Sequence, residues 1–158
     1  MSTLAQLITN LQALLLGDTT VFDTPTCTAA FRQALKDLNL AVPSHAAEVI
    51  QAVTAQYEYE LTDQSAMQII DVLRQGKDTY NDFGVSLPFD GYFEDDRPFI
   101  RLRVPEPAAN KLIVRYTKPY TISGLDGSAA STLPSIYEAV LLDGAAWKAC
   151  EIRAVIFE

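Results

Sequence analysis

The sequence predicts an α+β fold: amphipathic helices, an N-terminal pair and a long C-terminal one, packed with a small and mostly antiparallel β-sheet. Three observations lead there. Apolar residues recur at three- and four-residue spacing towards both ends of the chain. Between residues 48 and 117, β-branched and aromatic residues alternate instead with charged ones. With 158 residues, near-average composition and no run of biased sequence, the chain has the make-up of a single domain over 1–158 built around one core.

The first helix is predicted over 3–16. Leu4, Leu7, Ile8, Leu11, Leu14 and Leu15 form its stripe, Ser2 or Thr3 supplies the cap, and Gly17 suits the stop. The second, over 25–39, takes Thr24 as cap and Pro25 in its first turn, faces Phe31, Ala34, Leu35 and Leu38 inward, and ends before Pro43. Strands follow over 48–54 and 56–61, where Tyr57, Tyr59 and Leu61 alternate with Glu58 and Glu60. The run MQIIDVL gives a strand over 68–74, although so short an apolar run has a helical reading as well. Residues 76–98 mix Gly, Pro and Asp with five aromatics and hold no period. They read as a long excursion, and loops of that size inside compact domains tend to be functional. Strands over 99–104 and 111–117 alternate clearly, with PEPAAN as the turn between them. The last helix, over 134–154, is apolar on nearly all sides; burial on more than one side follows, and Trp147 is expected to be largely buried.

Twenty acidic residues against twelve basic ones leave a net charge of −8, which opposes a phosphate-binding surface and sequence-specific DNA binding. An acidic wall past which DNA slides is compatible with the same charge. No stretch approaches the ~20 continuous apolar residues of a membrane span, and the N-terminus lacks the basic start of a signal peptide, so a soluble chain made in a cytoplasm is expected. Cys27 and Cys150 lack metal or redox spacing and read as two buried free thiols. His45, the only histidine, follows Pro43 and Ser44 in an apparent loop with no nucleophile elbow beside it.

The acidic cluster Asp90, Glu94, Asp95 and Asp96 does not match a calcium loop and reads as a solvated acidic loop. Its enzymatic alternative is a glycan hydrolase depending on Glu94 or Asp96. No catalytic residue, metal ligand or cofactor is predicted. The aromatics Tyr80, Phe83, Phe89, Tyr92 and Phe93 are either loop anchors packed on the core or a contact surface for a partner or a glycan. Val155, Ile156 and Phe157 form a β-prone apolar triplet that either adds as an extended strand to a partner or folds back on its own core.

Four stretches, in order, resemble the head-to-tail adaptor or connector proteins of tailed bacteriophages. They are FRQALKDLNLAVP, QYEYELTD, KLIVRYTKPYTISGLD and ASTLPSIYEAVLLDGAAWKACEIRA, about two fifths of the chain together. The resemblance implies a structural virion subunit of the neck, assembled in the bacterial host cytoplasm as a homo-oligomeric ring, commonly a dodecamer. It implies contacts with the portal protein and with a tail or tail-completion protein, and a channel for double-stranded DNA without sequence-specific binding. It implies no cofactor, no membrane and no enzymatic activity. A tail-completion or tail-terminator ring is the neighbouring alternative. Many members of that family carry the last helix on into a longer C-terminal region, whereas this sequence stops at RAVIFE.

Overall fold

The computed structural model describes residues 2–75 and 84–156, the last without its side chain. The chain divides into two compact units: the residues up to Pro43 together with those from Tyr120 onward, and Ser44–Pro119 between them. The first unit is helical. The second is built of strands. An α+β class with a long C-terminal helix is what the sequence predicts; in place of one small sheet there are two, all of whose pairings are antiparallel.

In the helical unit, α1 (Leu4–Leu14) is capped by Thr3, whose hydroxyl accepts from the Gln6 amide while the Gln6 side chain accepts from the Thr3 amide. Leu7, Ile8 and Leu11 are buried, whereas Leu14, placed on the stripe by its spacing, is half exposed at the fraying end. α2 (Thr24–Ala41) starts one residue earlier than the sequence suggests. Asp23, not Thr24, is the cap, and its carboxylate accepts from the Thr26 amide at 2.9 Å. α3 (Ser135–Ile156) lies antiparallel to α2, with Gly144 against Ala34, and Arg153 near its end 3.6 Å from Asp23. Phe31, Cys27, Leu11, Leu141, Ala145 and Ala149 are among the fully closed residues of this core.

Residues 120–134 reach α3 without regular structure. Two rungs hold this loop together: the Thr121 amide donates to the Thr132 hydroxyl and the Ser123 amide to the Ser131 hydroxyl. Ile122, Leu125 and Leu133 anchor it in the core. Asn39 ties the loop to α2 by taking both backbone groups of Tyr120, accepting from its amide at 2.7 Å and donating to its carbonyl at 3.2 Å.

The β unit holds β1 (Ser44–Gln51), β2 (Glu58–Glu60), β3 (Gln68–Gln75), β4 (Val85–Ser86), β5 (Phe89–Glu94), β6 (Arg97–Leu102) and β7 (Lys111–Lys118). One sheet has the order β1-β7-β3-β4, the other β2-β6-β5. β1 starts four residues before its sequence reading because full pairing with β7, from Ser44 opposite Lys118 onward, recruits the weak strand formers Ser44, Ala46 and Ala47. An irregularity between Ile69 and Asp71 turns Ile70 out, 43% exposed. At residues 87–88 the chain changes sheets: the Leu87 amide still bonds to Val72 of β3, and the Pro88 carbonyl already receives the Arg103 amide.

Both sheets contribute to one buried cluster, with Val72, Leu112, Val114 and Tyr116 from the first and Tyr59, Leu61, Ile100 and Leu102 from the second. Their outer faces therefore look in opposite directions. Buried side chains thus gather in two clusters, one per unit, where the sequence suggests one.

Three further readings change. Residues 84–98, part of the expected excursion, carry β4, β5 and the start of β6. Their alternation is hidden because aromatics occupy both faces of β5. Trp147 is 67% exposed rather than buried, since α3 gives its alanine-rich side, not its tryptophan, to α2. Cys150 is exposed while Cys27 is buried.

Candidate functional site

Sequence-marked residues fall in three places. Phe89, Tyr92 and Phe93 all lie on β5: Phe89 packs against the β core, Tyr92 stacks on Phe99 of β6 with centroids 5.5 Å apart and planes at 13°, and Phe93 is half exposed. Val155 lies in the last turn of α3, 75% exposed, and Ile156 ends that helix. The triplet reading as an extended strand is corrected at these two positions, because the helical hydrogen-bond pattern continues through them. Tyr80, Phe83 and Phe157 lie outside the described residues.

The acidic cluster owes its form to a turn. Asp95 and Asp96 have φ of 50° and 63° between the paired ends Glu94 and Arg97, the two left-handed positions of a two-residue hairpin. Aspartate tolerates that conformation better than most side chains. Asp90 and Glu94 stand on the outer face of β5 beside Tyr92, over an open hollow of about 610 Å³ lined also by Glu58, Phe93 and Arg101. Partial burial and the Glu58 carboxylate push the Tyr92 phenol upward. Glu58 pairs with Arg101, Glu60 with Arg97 and Asp90 with Arg103, all across exposed strands. His45 sits on the exposed side of β1, on a strand rather than in a loop. Among the described residues no three His, Cys, Asp or Glu side chains converge as a metal site, and no helix is long and apolar enough to cross a membrane.

The sequence reading missed the outer face of α3. Ile136, Val140, Trp147 and Val155 are 76, 58, 67 and 75% exposed along one side of a helix about 33 Å long. Together these four side chains expose on the order of 500 Å² of mostly apolar surface, with Asp143 and Glu151 between them. The signal was present: a helix apolar all round has more apolar surface than two packed neighbours cover. Its other side meets Leu11, Phe31 and Ala34 through Leu141, Ala145 and Ala149.

Uncovered apolar and charged faces on rigid elements are features of chains that other chains can cover. A family model described as SU10 adaptor protein matches residues 2–155, and the chain belongs to that family. It is a structural head-to-tail adaptor of the tailed-phage type, a virion component, as the four motifs implied. No curated protein matches the sequence. Among solved structures, a chain described as the neck of an empty GTA particle computed with C6 symmetry is 13% identical, with 89% of this chain and 75% of that chain covered and a TM-score of 0.41.

Proposed function

We infer that the chain forms a closed ring, of twelve copies, between portal and tail, and that the ring continues the DNA channel without reading sequence. The exposed stripe Ile136, Val140, Trp147 and Val155 carries this reading, since an adaptor must give such a face to a partner and α3 is long enough to span one. Aromatics and aliphatics of this kind, fully desolvated on docking, dominate interface energetics. We assign the stripe to the portal protein, with Val155 as its distal end. Phe93 and the neighbouring residues of the β5–β6 hairpin belong to contacts outside the subunit, in the neck.

A net charge of −8 keeps the ring from holding the genome by its phosphates. Nothing in this reading calls for a cofactor or an enzymatic step. The test is mass measurement and electron microscopy of the full-length chain, alone and mixed with the portal protein of the same particle. Rings seated on the portal are expected. A chain that stays monomeric in both conditions overturns the reading, and rings found only at the tail end of purified particles favour the tail-completion alternative.

A further inference from the structure

The two outer faces of the β unit differ in charge. On the four-stranded sheet, β7 turns Lys111, Ile113 and Arg115 away from the shared core, beside the exposed His45, Ala47 and Val49 of β1. Neither Lys111 nor Arg115 has an ion-pair partner among the described residues. Asp71, the one carboxylate on that face among the described residues, stands opposite Arg115 in the register, is half-buried and accepts from the Ser86 hydroxyl at 2.8 Å.

On the three-stranded sheet, β5 turns Asp90, Tyr92 and Glu94 outward in the same alternation, and Asp95 and Asp96 adjoin them in the turn. The arginines on that face, Arg97, Arg101 and Arg103, each already face a carboxylate at 3.3 to 3.6 Å. Asp90 is the one that Arg103 faces, and Glu94, Asp95 and Asp96 are the carboxylates left in excess there.

The spacings match. Lys111 and Arg115 are four residues apart on one strand and Asp90 and Glu94 four apart on another, about 13 Å in each case. At the midpoints stand Ile113, next to the exposed Val49, and Tyr92, stacked on Phe99. Because the two faces lie on opposite sides of one shared core, a subunit that offers its acidic face to one neighbour keeps its basic face for the next. Such a contact is head-to-tail, the kind that generates rings.

We propose that the outer face of the three-stranded sheet of one copy packs on the outer face of the four-stranded sheet of the next, with Asp90 and Glu94 against Lys111 and Arg115 and with Tyr92 against Ile113 and Val49. This rests on the ring reading and assigns its subunit contact. It is tested with two charge-reversed full-length chains, K111E/R115E and D90K/E94K, with far-UV circular dichroism to verify folding. Assembly is read by sedimentation and electron microscopy, with and without portal protein. Each variant alone presents two faces of one sign and is expected to lose assembly. An equimolar mixture restores opposite signs at every contact and is expected to regain it, with the two variants alternating around the ring.

Wild-type assembly should also weaken as salt rises. Rings formed by either variant alone as readily as by the wild type overturn this contact and leave the ring reading standing. So do folded variants whose mixture fails to assemble, and so does wild-type assembly indifferent to salt. A wild-type chain that never assembles overturns the ring reading, and this contact with it.

Discussion

Replacing Trp147 by Ala separates a core role from an interface role. A tryptophan side chain offers up to about 250 Å² for burial, and this one is 67% exposed within its own chain. The third that is covered, about 80 Å², is worth at most about 2 kcal/mol at ~25 cal/mol per Å². A fully buried tryptophan truncated in the same way costs about 3–5 kcal/mol. For a chain of this length 1 kcal/mol moves Tm by about 2–4 °C, so W147A should melt no more than about 8 °C below the wild type. Docked on a partner, the same side chain becomes a desolvated anchor, and its loss should weaken portal binding by at least about 2 kcal/mol, roughly 30-fold in Kd. Thermal unfolding of the monomer gives the first number and titration against portal protein the second. W147F, which keeps most of the area, should fall between. A monomer melting 15 °C lower, or portal binding unchanged in W147A, refutes the assignment of this face.

Three other outcomes follow from the two cores. The Asp63 carboxylate accepts from Ser65, from the Tyr116 hydroxyl at 2.9 Å and from the Lys118 ammonium at 3.2 Å, and although burial opposes it, these bonds hold its pKa down at about 2 from an ordinary 3.8. That stabilisation, about 2 kcal/mol at neutral pH, is complete above pH 4 and is lost as pH falls towards 2; D63N should lower neutral-pH stability by a similar amount and flatten this acid limb in urea titrations. Burial, with Asp63 as a further cause, pushes the Tyr116 phenol up to about 12, so stability should decline between pH 10 and 12, and Y116F should remove that decline. N39L, which fills the same space but abandons both backbone groups of buried Tyr120, should cost about 2–5 kcal/mol, read as an early shift of the whole melting curve; a shift under about 1 kcal/mol means the loop over 120–134 is not held by that pair.

Much of this fold is legible before any coordinates. α1 and α2 follow from spacing and caps, and β7 from the strict alternation of Leu112, Val114 and Tyr116 with its charged neighbours. Where the reading failed, the local pattern held no direction. α3 has apolar residues around its whole circumference, so spacing announces a helix without saying which side meets α2, and the lack of a polar face wrongly points Trp147 inward. In β5, Tyr92 belongs to the outer face and Phe89 to the inner one, and two aromatic faces erase the period that marks a strand. Sheet order was invisible for another reason: β7 pairs with both β1 and β3, far off in sequence, and no local signal names such partners. The residues proposed as contacts are legible only as aromatics and as a hydrophobic end. Their distribution over two units depends on tertiary placement.

Ser44 and Lys118, the ends of the β unit, are cross-strand partners about 5 Å apart. To the helices, everything between them is therefore a closed handle rather than a long tether. Once β1 and β7 have joined, α2 and Tyr120 are already neighbours, and closing the helical core carries no further loop-entropy cost for the insert. A chain organised this way can exchange its whole handle for another with adjoining ends while the helical portion keeps its fold. Variation in what the subunit meets can thus accumulate in one cassette whose ends stay together.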